Sequence, residues 1–218
     1  MAHARVEFQR LLRQVQDEVL ALGSMVEQAV LAAVDALKRR DLALSRQVIE
    51  GDTAIDRKRY AIEERCIQVI AMHQPMATDL RALVAYLYIA DELERMGDYA
   101  EGIGKISLLM GEQPPLKPLI DIPRMAELGL AMMRDALDAL VQRDAAKAQA
   151  VIERDDEVDA LYDQVFRELI TYMLADPRSI DRASYLTWAA HNLERLADRA
   201  TNLAERVIFL VTGRLPQT

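Results

Sequence analysis

The sequence predicts an all-α protein made of two tandem three-helix bundles that are related by a pseudo-twofold axis. The composition favours helices, because 51% of the 218 residues are hydrophobic but only 5% are aromatic, with eight Gly and seven Pro. Apolar residues recur at steps of three and four through most of the chain, which is the spacing of amphipathic helices. The same pattern occurs again after a Pro-rich stretch, so a second bundle should follow the first.

The first repeat is expected to contain three long helices. The first helix should end near Arg40, whose positive charge suits a helix C-terminus. Asp41 follows as the N-cap of the second helix. The segment 73–75 includes a Pro that ends this helix, and a third helix should run from about Thr78 to Gly111.

A linker and a second set of three helices complete the predicted organisation. The Pro-rich segment 113–119 separates the first repeat, residues 1–112, from the second, residues 120–218. A fourth helix should begin just after this linker. Asp144 is the expected N-cap of one continuous fifth helix, and Asp176 with the Pro after it marks the start of the sixth.

The two halves also match directly in sequence. The stretch VDALKRRD at 34–41 corresponds to LDALVQRD at 137–144, and VIEGDTAID at 48–56 corresponds to VIERDDEVD at 151–159. Such self-similarity at a fixed offset indicates a duplicated structural unit.

Acidic residues four positions apart occur twice in each half, once on the middle helix and once on the last. The eight residues are Asp52, Asp56, Glu94, Asp98, Asp155, Asp159, Glu194 and Asp198. Residues with this spacing lie on the same side of a helix, where like charges cost a few tenths of a kcal/mol. Such pairs indicate either a bound cation or a solvated face.

The position of Asp52 favours a cation. Asp52 falls on the apolar stripe of its helix, so neighbouring helices can bring two acidic pairs together. Four carboxylates at one place repel one another unless a positive group neutralises them. Arg95 and Arg195 should point elsewhere, because each directly follows a glutamate of a pair. A metal ion is then the simplest neutraliser, and oxygen ligands favour Mg, Mn, Ca or Fe.

Other features exclude several function classes. The net charge of −8 and the pI near 5.0 argue against a nucleic-acid surface. The longest stretch without a charged residue, 66–78, is too short to cross a bilayer, and the polar N-terminus does not read as a signal peptide. With a single Cys, these features favour a soluble, cytoplasmic protein.

Three functional hypotheses follow. The chain has no P-loop, Gly-rich motif or recognisable nucleophile, which favours a metal-binding adaptor that is not an enzyme. A di-metal carboxylate enzyme of the ferritin-like kind is one alternative, but it requires Glu-x-x-His, and no Glu stands three residues before any His. A metal-free structural bundle with solvated acids is the other.

These residues are similar to the PhoU family of phosphate-uptake regulators over nearly the whole chain. The resemblance rests on the tandem repeat, on GDTAID with RDDEVD, and on LERMGDYAEGI with NLERLADRATNLAERV. It implies that the eight acids above hold multinuclear metal clusters, usually of iron or zinc, with Mg or Mn as other options. It also implies a negative regulator of phosphate uptake and of the phosphate-starvation response.

The resemblance further implies partners and differences between the two sites. The expected partners are the ATPase subunit of a phosphate ABC transporter, a phosphate sensor histidine kinase and a second copy of the chain. Four polar residues are candidates for contacts around the metal ligands: Asp91, Glu101, His191 and Asn202. Gly102 stands at the position equivalent to Asn202. The first site should therefore have fewer polar side chains around its metal ligands than the second.

Overall fold

The computed structural model describes residues 2–214, with side chains from residue 5 onwards, and all of its regular structure is helical. A short 3-10 turn (Pro177–Ser179) precedes the last of seven α-helices. The α-helices are α1 (Ala2–Arg39), α2 (Leu42–His73), α3 (Ala77–Met110), α4 (Asp121–Gln142), α5 (Ala145–Ile152), α6 (Asp155–Ala175) and α7 (Ile180–Thr212). The all-α prediction is therefore confirmed.

The helix ends follow local capping chemistry. The side chain of Asp41 accepts a hydrogen bond from the backbone N–H of Leu44 at 2.9 Å, and Asp144 caps α5 in the same way. Gly213 ends α7 with a positive φ of 75°, a conformation that costs glycine little. No helix covers residues 111–120, which include the Pro-rich segment.

The prediction of one continuous fifth helix is wrong, because the helix breaks at Glu153 and Arg154. Both residues keep right-handed helical angles, but the N–H of Arg154 donates to the carbonyl of Val151, one residue closer than in an α-helix. The guanidinium of Arg154 lies 2.7 Å from Asp135 on α4. The contact lies at the tightened turn, and α6 begins at the next residue, Asp155.

The helices form two layers around one hydrophobic core. One layer contains α2, α3, α7 and α6 in that order, and α1 and α4 pack behind it, with α5 against α4 and α7. The largest helix interface joins α3 to α7, and we call it the central interface. Leu93 and Leu193 are fully buried, and the core continues from one half into the other. The two bundles are therefore fused rather than merely linked.

Contacts across the central interface are reciprocal, as a pseudo-twofold axis requires. The amide of Asn202 on α7 donates to Glu92 on α3 at 3.2 Å. The equivalent pair is Asn192 and Gly102, and a Cβ at Gly102 would lie 3.2 Å from Asn192 Oδ1. The Gly102/Asn202 mismatch thus lies in the central interface, where Gly102 makes room for the Asn192 amide.

One helix is long and apolar enough to cross a membrane by length and composition, namely α1 over residues 5–39. This evidence is weak, because core helices of soluble proteins satisfy the same criteria. The apolar residues Val15, Val19, Leu22 and Val26 are fully buried against the rest of the protein. The structure thus uses the apolar stripe of α1 as core.

Candidate metal centre

The first carboxylate cluster lies between α2 and α3 and consists of Asp52, Asp56, Glu94 and Asp98. Burial, followed by the charges of Asp56 and Asp98, raises the pKa of Asp52 to about 6. Burial and the same neighbours also raise the pKa values of Glu94 and Asp98. The two predicted pairs lie at the same contact between α2 and α3, where a Cβ at Gly97 would lie 3.4 Å from Asp52 Oδ1.

A glycine allows the two helices to approach each other at the first cluster. A Cβ on Gly97 would lie 3.0 Å from Ile55 Cδ1 and 3.4 Å from Asp52 Oδ1. These are tight contacts, so the missing side chain brings α2 against α3 and buries one oxygen of Asp52. Ala197 occupies the equivalent position in the second half.

The second carboxylate cluster lies between α6 and α7 and consists of Asp155, Asp159, Glu194 and Asp198. Burial, followed by the charges of Asp159, Asp198 and Glu194, raises the pKa of Asp155 to about 6. The pKa values of Asp159 and Glu194 are raised by burial and by Asp198. The second half therefore reproduces the arrangement of the first.

The donor set suits a hard cation, although the side chains do not enclose one. Three buried carboxylate oxygens have no hydrogen-bond partner within the described residues: Asp52 Oδ1, Asp155 Oδ1 and Glu194 Oε2. Within the same residues, no three His, Cys, Asp or Glu side chains are arranged to surround a metal ion. The chemistry of the clusters fits a cation, and binding would require the carboxylates to turn towards it.

The first half places two of the surrounding candidates in ion pairs. Asp91 Oδ2 lies 3.4 Å from Arg95 Nε, one turn along α3. Glu101 pairs with Lys105, and its charge raises the pKa values of both Asp52 and Asp98. Glu101 therefore belongs electrostatically to the first cluster.

In the second half, the corresponding candidates have different partners. His191 Nδ1 lies 3.3 Å from Glu194 Oε2 without forming a hydrogen bond to it, so the imidazole borders the cluster. Asn202 instead donates to Glu92 across the central interface, together with Arg199 Nη1 at 3.2 Å from the same oxygen. The Asn202 amide is thus engaged in joining the two halves.

The expectation that Arg195 points away from the acids is wrong. Arg195 Nη1 lies 2.8 Å from Asp198 Oδ2, because residues three apart on a helix are neighbours. Tyr99 of α3 also stabilises the charged form and raises the pKa of Arg195. The first-half counterpart, Arg95, does follow the expectation, since its partner is Asp91 rather than Asp98.

The sequence reasoning missed Tyr162 at the second cluster. The ring of Tyr162 lies 5.9 Å from that of His191, and burial together with the charge of Glu194 raises the pKa of Tyr162. Its spacing was a usable signal, because Tyr162 follows Asp159 by three residues on the same face of α6.

Fold and site together define a class: a duplicated helical bundle with one carboxylate cluster per half. The PhoU domain family matches residues 19–107 and 122–207, which are the two repeats. The chain therefore belongs to the PhoU family, as the sequence motifs predicted.

Relatives and solved structures of high similarity agree with this assignment. The chain is 43% identical to the phosphate-specific transport system accessory protein PhoU homolog of Aquifex aeolicus, covering 94% of this chain and 92% of that protein. It is 39% identical to the homolog from Rhizobium meliloti, over 100% and 93% of the two chains. The crystal structure of PhoU from Pseudomonas aeruginosa superposes with a TM-score of 0.90 at 36% identity, covering 95% of this chain and 100% of that chain. PhoU from Streptococcus pneumoniae also gives 0.90, at 30% identity and over 97% and 100% of the chains.

Proposed function

We propose that this protein is a non-enzymatic, cytoplasmic regulator that restrains phosphate uptake and the phosphate-starvation response. The observation that carries the proposal is full-length similarity to proteins named as accessory components of a phosphate-specific transport system. The acidic clusters add a chemical capability, because each half offers four carboxylates to cations.

Metal ions are the proposed ligands of both clusters, with iron or zinc as the leading candidates and Mg or Mn as alternatives. Asp52, Asp56, Glu94 and Asp98 would hold metal in the first half, and the second carboxylate cluster would do so in the second. The supporting observations are the three orphaned carboxylate oxygens and the raised pKa values of the acids. Bound cations would neutralise the repulsion within each cluster and give the orphaned oxygens a partner.

The proposed partners are the ATPase subunit of the phosphate ABC transporter, the phosphate sensor histidine kinase and a second copy of the chain. Affinity purification of each partner with the tag-free protein, with and without added metal, tests the adaptor role. We expect at least one of the first two proteins to be retained. Failure of both to bind in either condition would overturn the proposal, and light scattering of the purified protein reports dimer formation.

Elemental analysis tests the metal proposal separately. Tag-free protein from cells grown with ample iron and zinc should contain metal, and Asp98→Asn and Asp198→Asn should each lose the metal of one cluster. Native protein without metal after such growth would favour the metal-free structural bundle. Because the two clusters are on different helix pairs, each variant serves as the control for the other.

A further inference from the structure

The two carboxylate clusters differ in the cations that already contact them. No side chain of the first cluster lies within ion-pair distance of another described residue, and Lys105, Arg59 and Arg95 act on the pKa values of its acids only from further away. In the second cluster, the guanidinium of Arg195 contacts Asp198 at 2.8 Å. The second cluster thus carries positive charge that is supplied by α7 itself.

One exchanged residue explains why the two arginines behave differently. Arg95 and Arg195 are equivalent under the hundred-residue offset, and so are Asp91 and His191. Asp91 attracts Arg95 one turn along α3, away from Asp98. His191 presents an imidazole at that position and lies beside Glu194, so the guanidinium of Arg195 pairs with Asp198 instead.

The geometry shows that the Arg195 pair is the closer one. The Arg195–Asp198 distance is 2.8 Å, against 3.4 Å between Arg95 and Asp91, and its side chains are 39% and 28% exposed rather than 53% and 46%. Shorter and less exposed charged contacts are stronger. Tyr99 of the first half also stabilises the charged form of Arg195 and raises its pKa.

We propose that Arg195 is a resident counter-ion of the second carboxylate cluster, so that a metal ion must displace it and the first cluster fills before the second. This inference rests on the proposed metal binding. A cation at the second cluster competes with the guanidinium for Asp198, whereas the first cluster offers all four carboxylates without such competition. Since Arg195 reaches Tyr99 on α3, loading the second cluster would also alter a contact between the two halves.

The test compares proteins that retain a single cluster. Asp52→Asn with Asp98→Asn leaves the second cluster, and Asp155→Asn with Asp159→Asn leaves the first. Zn²⁺ affinity is measured for each by competition with a chromophoric chelator, and circular dichroism verifies folding. We expect weaker Zn²⁺ binding at the second cluster than at the first.

Substitution of Arg195 and of Arg95 then isolates the effect of each arginine on Zn²⁺ affinity. In the protein that keeps the second cluster, Arg195→Gln and Arg195→Met should tighten Zn²⁺ binding by about two- to fivefold, the upper part of the range expected for a partly exposed ion pair. Arg195→Lys keeps the positive charge and should leave the affinity within about twofold of the parent. The matched control, Arg95→Gln in the protein that keeps the first cluster, should change the affinity by less than about twofold, since exposed pairs contribute little.

The possible outcomes distinguish a failure of the counter-ion role of Arg195 from a failure of the proposed metal binding. If neither single-cluster protein nor the parent binds Zn²⁺, Fe²⁺ or Mn²⁺, the proposed metal function fails. If metal binds and Arg195→Gln and Arg195→Met change the affinity no more than Arg95→Gln does, the counter-ion role of Arg195 is overturned. Arg195→Met preserves most of the aliphatic packing of the arginine, so it guards against a loss of affinity caused by local unfolding.

Discussion

At the scale of single residues, the protein keeps carboxylates where their charge is costly. Asp52 and Asp155 are equivalent, and each is partly buried among other acids. Each also has one oxygen without a hydrogen-bond partner among the described residues. A proton or a cation relieves this cost, so stability and ligand binding should be coupled at these two positions.

The first prediction concerns pH and the stability of metal-free protein. The pKa of Asp52 is raised from 3.8 to about 6 in the folded state, so the folded protein binds a proton more tightly than the unfolded chain. The free energy of unfolding should therefore fall as the pH rises from about 4 to about 6 and stay low above that range. Asp52→Asn removes this penalty and should raise the free energy of unfolding at pH 7.5 by about 1 kcal/mol, allowing for solvent screening.

Urea denaturation of chelator-treated protein at pH 4.5 and pH 7.5 measures this effect. Glu50→Gln is a suitable control, because Glu50 is an exposed acid on the same helix. An equal gain at both pH values, or an equal gain in the control, would contradict the interpretation.

The sequence was enough to predict which acids converge, but not the partner of Arg195. Helical periodicity determines the side of a helix on which a residue lies, so the convergence of Glu94 and Asp98 with α2 could be predicted. The partner of an arginine depends on its long flexible side chain and on what else competes for it. The Asp91/His191 exchange was visible in the sequence, yet its effect on Arg195 depends on the positions of four side chains in space.

At the scale of helices, the contact between the two helices that carry each cluster determines how close its carboxylates lie to one another. Gly97 allows α2 to contact α3 beside Asp52, as described above. The counterpart of α2 in the second half is instead divided into α5 and α6. Residues 145–175 contain neither Gly nor Pro, so no local signal marks this break. At the break, Arg154 pairs with Asp135 on another helix, a contact that periodicity does not reveal.

The second prediction tests the close approach of α2 and α3. Gly97→Val should destabilise the protein by about 1–3 kcal/mol, because the added methyl groups would overlap Ile55 and the side chain of Asp52. Gly51→Val is the matched control, since no atom lies within 4 Å of a Cβ at that exposed position on α2. We expect the control to change stability by no more than about 0.5 kcal/mol.

Thermal and urea denaturation of both variants provide the measurement. Equal stability of the Gly97 and Gly51 variants would show that α2 and α3 are not held together in the way that the structure indicates.

At the scale of the whole molecule, the two repeats share one core and should unfold together. Tandem repeats were predictable from the sequence, but their fusion was not, because periodicity within each half does not reveal which helices meet across the pseudo-twofold axis. The central interface uses α3 and α7, and the fully buried Leu93 and Leu193 lie on these two helices.

The third prediction concerns this cooperativity. Leu193→Ala should lower the free energy of unfolding by about 2–5 kcal/mol, because it leaves a cavity in the shared core. Unfolding should remain a single transition. Fluorescence of Trp188, the only tryptophan, reports on α7, and it should coincide with circular dichroism, which reports on all helices. Leu174→Ala, at an 80% exposed position, should have an effect within about 0.5 kcal/mol.

Two separate transitions in the parent protein would contradict the shared core. A small effect of Leu193→Ala, similar to that of Leu174→Ala, would do so as well.

The reciprocal contacts of Glu92 with Asn202 and of Asn192 with Gly102 have a consequence for valency. A single chain carries two related halves, each with one carboxylate cluster, so a twofold-symmetric partner would meet an equivalent half on each side without a dimer of this protein. Once one copy is bound, the other is held near its target at a high effective concentration, and two weak contacts act as one strong one. At positions such as Asp91 and His191, where the copies differ, the two contacts can be regulated separately.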